Sequence, residues 1–380
     1  MMDFKAQWQV FYRDKWLFSC LTWIPILVAL SIWAIFYNGS AHNLPIAVVD
    51  LSHSQLSRTL IRQLDATATL AVKQSYADVN QAKNALITGN IYGYVVIPAR
   101  LDKDIYRGNP PQISVFYNSQ YVLVGKLVNS AILNAVGTAN AQIEVLKSLS
   151  NGNTTPQSAV GEALTIRTQI TPLFNKNTNY TQFLVSAIIP AIWQIFIVAG
   201  TILIITANIS NKNASSWAKK TSIKNIFITL SFYIPLFLLQ GALFLLCFYE
   251  GFKWPMNGSF VVLFFAQLVT CLACMIMGTL FYYITLDAAS AISLAGAFTA
   301  PSFAFMGITF PVTDMNTAAQ VWRNLLPISH YIEVQVSQVS YGVSWIVSLT
   351  QLLPMLGYLM PLWLTYFLIK KHHNSNKIAA

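Results

Sequence analysis

Six stretches of this chain, at 16–37, 181–208, 225–249, 259–284, 291–309 and 345–369, are long and apolar enough to cross a bilayer. A helix needs about 20 such residues to traverse the hydrocarbon, where no water satisfies exposed peptide groups. The chain therefore reads as a polytopic α-helical membrane protein. One span comes first, then a polar loop at 38–180, then five closely spaced spans. Charged residues are only 9% of the 380, against about 25% in an ordinary globular chain, so a wholly soluble protein is excluded. The first stretch is too long for the apolar core of a signal peptide, and Asn38-Gly39-Ser40 is not a cleavage site. All four cysteines lie inside apolar runs, so neither a disulfide framework nor a metal site is expected.

Six spans place both termini on one side, and lysine says which. Segments 1–15, 209–224, 285–290 and 370–380 together hold 10 Lys/Arg and 3 Asp/Glu. The loop at 38–180 holds 11 Lys/Arg over a far greater length. By the positive-inside bias both termini are cytoplasmic and the large loop lies outside. The net charge of +10 has the same source, and no nucleic-acid partner is expected.

The loop has the pattern of a folded domain. Residues 44–50 form a short apolar run of buried-strand type, and 52–64 have helical spacing with Ser52 or Ser54 as N-cap. A weaker strand follows at 69–76, a helix at 77–87 ending at Gly89, and the strongest strand at 91–97, closed by Pro98. A further strand at 112–117 precedes a long helix from about 121 to 149. The turn-rich Asn151-Gly-Asn-Thr-Thr-Pro156 then leads back to the membrane. Strands alternating with helices predict a small α/β unit with a mixed or parallel sheet. Its carboxylates are scattered, and His53 beside Asp50 reads as turn chemistry. No catalytic, cofactor-binding or metal-binding residue is expected.

Two cytoplasmic features stand out. Residues 3–15 place Phe4, Trp8, Phe11 and Tyr12 on one helical face, the pattern of an amphipathic helix on the inner leaflet. Residues 210–224, Ser-Asn-Lys-Asn-Ala-Ser-Ser-Trp-Ala-Lys-Lys-Thr-Ser-Ile-Lys, carry four lysines, no acid and Trp217. A docking helix and plain positive-inside charge both fit these residues. Between the fifth and sixth spans, Pro301, Gly307, Phe310 and Pro311 interrupt the helix, and an apolar series from Val321 to Ile332 is broken by Pro327. This predicts a bent, partly re-entrant segment followed by interfacial helices, a candidate gate. Ionisable groups are nearly absent from the spans, whereas a proton- or ion-driven carrier usually has carboxylates or histidines in mid-membrane. There is no phosphate-binding G-x-x-x-x-G-K-[ST] run either. Energy must come from another subunit.

Five motifs carry a resemblance: Pro45-Ile-Ala-Val-Val-Asp50 with Ser57-Arg58; Gly89-Asn-Ile-Tyr-Gly-Tyr-Val-Val-Ile-Pro98; Phe116-Tyr-Asn118; Gly307-Ile-Thr-Phe-Pro311; and Leu326-Pro327. Together with the one-plus-five layout, the chain resembles the ABC-2 type transporter permeases, membrane subunits of bacterial ATP-binding cassette exporters. The resemblance implies no cofactor of its own, with ATP bound by a cytoplasmic ABC ATPase. It implies a second permease subunit, identical or not, and an inner-membrane location. A periplasmic adaptor and an outer-membrane channel are further candidate partners. It also implies that Trp8, Arg13, Trp217, Lys219 and Lys220 belong to the ATPase contact. The 209–224 loop departs from the family by lacking acidic residues, which suits pairing with a non-identical permease. The competing class is a non-transporting receptor or envelope scaffold acting through 38–180.

Overall fold

The computed structural model describes residues 4–37, 39, 41–107, 109–150, 173–175, 179–210 and 223–378. They fall into two compact units, Met1–Gly39 with Pro172–Ala380, and Ser40–Thr171. The chain opens with α1 (Phe4–Arg13), whose Gln7, Val10 and Phe11 are buried. Asp14 ends it and starts α2 (Lys15–Leu21), its carboxylate accepting from the N–H groups of Trp16 and Leu17 at 3.0 Å each. Helix α3 (Trp23–Ile35) follows at an angle of 41°. The first apolar stretch is therefore a broken helix, and Pro25 is the physical reason. A proline has no N–H to give the carbonyl four residues earlier, and its ring crowds that carbonyl. The carbonyl is Leu21 O, and it is satisfied instead by the Gln240 side-chain amide at 2.7 Å.

The smaller unit is an α/β sandwich built in the order β1 (Leu44–Asp50), α4 (Gln55–Asp65), β2 (Leu70–Ser75), α5 (Val79–Ile87), β3 (Gly93–Ile97), α6 (Leu101–Tyr106), β4 (Ser114–Tyr117) and α7 (Val122–Ser150). The sheet order is β2-β1-β3-β4, with β1 parallel to both neighbours and β4 antiparallel to β3. The mixed sheet of the sequence reading is what forms, with α6 as an addition. Alternate residues of β1 and β3 face opposite ways, as a strand requires. Ile46, Val48, Val95 and Ile97 pack with Leu60 and Leu64 of α4 and Val128 and Ile132 of α7. Ala47, Val49 and Tyr94 pack with Ala82 and Ala85 of α5.

Local chemistry fixes the joints of this unit. Asp50 accepts from the N–H groups of Ser52 and His53 at 3.0 Å each, and from Ser57 Oγ at 2.7 Å. Ser54 and Ser57 form a reciprocal capping box at the start of α4. Asp50 and His53 are thus a turn. Gly89, at φ +77°, closes α5 with the N–H of Asn90 bonded to Ala85 O, the left-handed stop that favours glycine. Helix α7 is apolar enough to cross a membrane, yet Val128, Ala131, Ile132, Ala135 and Ala139 lie in the sheet's core. Their three- and four-residue spacing is one helical face. That face is consumed by the sheet.

The larger unit continues with α8 (Tyr180–Ser210), α9 (Ile223–Leu246) extended by a π-helical turn (Cys247–Gly251), and α10 (Phe260–Thr285). After Leu286, which is left-handed, come α11 (Ala288–Thr299) and α12 (Ser302–Phe305). Then follow α13 (Thr317–Leu325), α14 (Pro327–Val336) with a π turn (Ser337–Tyr341), α15 (Trp345–Leu352), and α16 (Leu359–Ile378) after a 3-10 turn. Five helical segments here are of membrane length, and α2 with α3 makes a sixth. Helix α8 is the centre of the bundle and contacts α2, α3, α9, α10, α11 and α14. It approaches α10 so closely that a Cβ on Gly278 would meet Val198 O at 2.7 Å. Only glycine fits there.

Candidate functional site: two polar joints in the helical unit

The first joint fastens α1. Gln7 Nε2 donates to Asn208 Oδ1 at 2.9 Å, and Gln7 Oε1 accepts from the Tyr233 hydroxyl at 3.3 Å. Asn208 lies near the end of α8 and Tyr233 in the first half of α9. The Trp8 ring meets Phe232 edge-on at 5.4 Å and stacks on Tyr12 at 5.6 Å. Helix α1 is therefore clamped to both helices that flank 211–222. Trp8 remains 48% exposed, and Tyr12 and Arg13 are exposed as well. Trp217, Lys219 and Lys220 lie outside the described residues. The aromatic spacing of the sequence is correct for a helix, but the buried polar anchor is Gln7, a residue that hydropathy does not distinguish.

The second joint is α14. Eight of its residues are buried, whereas α13 has none. Of the two helices expected at an interface, only α13 has the exposure of a surface helix. Pro327 occupies the first position of α14, where a missing N–H costs nothing. The next N–H, of Ile328, is accepted by Gln194 Oε1 at 2.9 Å, while Gln194 Nε2 donates to Ser302 Oγ at 3.0 Å. Gln194 is fully buried on α8. Gln335 Nε2 donates to Ser186 O at 2.8 Å, the carbonyl that Pro190 leaves without a helical partner. Gln267 Nε2 reaches Gly241 O at 2.9 Å and the Tyr331 hydroxyl at 3.2 Å. Gln338 accepts from the Ser259 N–H at 2.9 Å and donates to Ser348 Oγ at 2.7 Å.

The remaining sequence-predicted residues shape the approach to α14. Pro301 caps α12, and Gly307 turns the chain at φ +87°, where an added Cβ would sit 2.8 Å from Val312. Pro311 begins a short 3-10 turn and Phe310 is half exposed. Arg323 binds Glu333 at 2.7 Å. His330 is buried with Nε2 3.1 Å from Asn324 O, and burial pushes its imidazole below the usual range. The joint is thus held mostly by neutral amides, which fix a segment without carrying charge into the membrane. Their signal was in the sequence as glutamines at 194 and 267 within apolar stretches. A search for ionisable groups passes over them.

The family model for the ABC-2 family transporter protein matches residues 15–369, a span that begins after α1 and includes Asn208 and Tyr233 of the first joint, the whole second joint and the inserted α/β unit. The chain belongs to this family. As an ABC-2 family transporter protein it is a multi-pass membrane protein and the permease component of an ABC transporter. It is a transport subunit, not itself the ATPase, and membership implies an ABC ATPase partner. No curated protein and no solved structure matches the chain.

Proposed function

We propose that this ABC-2 family transporter protein is an export permease of the inner membrane, working as a dimer of permeases above cytoplasmic ATPases. Both termini are cytoplasmic and residues 38–180 lie outside. The substrate class is amphipathic: a drug, a lipid or a peptide-like molecule. The observation that carries the reading is the clamp of Gln7 on Asn208 and Tyr233. A partner pressing on α1 and the 209–224 loop would move the ends of α8 and α9 together. Helix α8 also bears Gln194, which holds the start of α14 and Ser302. A single rigid helix therefore links the docking end to the bent segment of Pro301, Gly307, Phe310, Pro311 and Pro327, the proposed gate. At this second joint the amide oxygens of Gln267 and Gln335 are buried without partners among the described residues. Such oxygens cost about 1–3 kcal/mol each, as suits a joint that exchanges partners when it moves.

Orientation is tested by cysteine labelling from outside, in a background where the exposed Cys247 is replaced by serine. Cysteines substituted at Asn109 and Asn151 are expected to react, and those at Asn213 and Asn374 to stay silent until the membrane is opened. Outside labelling at Asn213 would overturn the orientation and with it the direction of transport.

A further inference from the structure

Helices α9 and α16 both pack on α10, and between them runs a groove of ≈ 270 Å³. Its body is hydrocarbon: Ile226, Leu230 and Ile234 of α9, Met275 of α10, and Leu362 and Ile369 of α16. Three hydroxyls also line it, but each spends its proton on its own helix. Ser231 Oγ donates to Ile228 O at 2.8 Å, and Thr279 Oγ1 to Met275 O and Thr365 Oγ1 to Pro361 O at 2.7 Å each. The groove therefore offers almost nothing to water or to a polar ligand. In a bilayer such a cleft takes up hydrocarbon, since a void would forfeit the dispersion contacts of its walls. At its rim Phe227 and Leu272 are 45% and 39% exposed, so a lipid chain has a way in.

The charge beside the groove selects the headgroup. The groove lies where α9 begins and where the apolar stretch of α16 ends, so both helices bring basic residues to the same end. Lys224 stands one turn before Phe227 on the same helical face, and Lys370 follows Ile369 directly. Both lysines are exposed. A lysine stem can lie along an apolar wall while its ammonium stays at the surface. None of the three helices carries a carboxylate. Asp287, just past α10, is held as the cap of α11, accepting from the Ser290 N–H at 2.8 Å. We propose that this groove holds one acyl chain of an anionic phospholipid, with the phosphate between Lys224 and Lys370. Basic residues at the ends of spans favour anionic headgroups in this way. The site needs only the multi-pass membrane location and stands apart from the export reading.

The test uses the full chain in phosphatidylcholine nanodiscs with a trace of phosphatidylglycerol carrying a photoreactive diazirine on one acyl chain. A phosphatidylcholine probe with the same chain is the neutral arm. Labelled residues are mapped by mass spectrometry, with Met360 and Trp363, exposed on α16, as the reference for bulk lipid. Relative to that reference, the phosphatidylglycerol probe is expected to label the groove at least about fivefold more than the phosphatidylcholine probe does. Lys224→Gln combined with Lys370→Gln is expected to remove this excess. Ser231→Trp, which fills the groove from an exposed position, is expected to suppress groove labelling by both probes and to leave the reference unchanged. Equal labelling by the two probes would overturn the proposal. So would an excess that survives the double lysine substitution, or groove labelling that survives Ser231→Trp. An unlabelled groove, as a second copy of the chain or a bound substrate would leave it, would overturn it too.

Discussion

Gln240 matters because of a residue it is not bonded to. Pro25 cannot serve the carbonyl of Leu21, and Gln240 Nε2 takes that place at 2.7 Å. A double-mutant cycle isolates this relation. Gln240→Leu is expected to lower stability by about 1–3 kcal/mol, since it strands a carbonyl away from water. In a Pro25→Ala background the new N–H serves Leu21, and Gln240→Leu should cost far less. Equal costs in both backgrounds, read from thermal unfolding in detergent, would show that the amide is not a proline cap. His330 supplies a pH signature. Burial lowers its folded pKa from the ordinary 6.5, despite the opposing bond to Asn324 O and the Glu333 charge; Arg323 adds to the lowering. The unfolded chain therefore binds the proton more readily. The contribution to stability is complete above pH 6.5 and is lost as pH falls through the lower folded value. His330→Gln, which can keep the bond to Asn324 O, should remove that acid slope; an unchanged slope would mean other groups cause it.

At the scale of elements, what was legible follows from what leaves a pattern. The strand at 91–97 and the helix ending at Gly89 are visible because period and stop signals are local. The break at Thr22 is half visible: Pro25 announces a disturbance, but the glutamine that makes the break tolerable is more than 200 residues away in sequence. Burial of α14 is only partly visible: Ile328, Tyr331 and Ile332 belong to an apolar series, but Ser329, His330 and Gln335 read as surface residues. They are buried because each finds a partner or a packed wall, which only the folded bundle supplies. Helix α1 shows the same effect, with its aromatic spacing readable and its Gln7 anchor not. Gln7→Leu keeps the apolar face of α1 and cuts both hydrogen bonds to α8 and α9. The expected outcome is a folded, inserted protein that still recovers its ATPase but loses at least about tenfold in transport-coupled hydrolysis, since the pressed helix no longer carries α8 with it. Unchanged coupling would show that the clamp is structural only.

At the scale of the whole molecule, the account rests on one idea: a permease without its own ATP site is moved by a separate ATPase that grips α1 and the 209–224 loop. Trp217 is the strongest candidate anchor, because a large aromatic filling a partner's pocket is worth about 2 kcal/mol or more when removed. Lys219 and Lys220 would steer the encounter, and an exposed charge adds only up to about 1 kcal/mol. The most direct measurement is recovery of the ATPase subunit on the tagged permease, together with ATP hydrolysis by the recovered complex. The account predicts no hydrolysis by the permease alone and robust hydrolysis by the wild-type complex. It predicts a loss of about thirtyfold in ATPase affinity for Trp217→Ala, and a small, salt-sensitive loss for Lys219→Ala. Equal ATPase recovery and equal hydrolysis in the wild type and Trp217→Ala would contradict it.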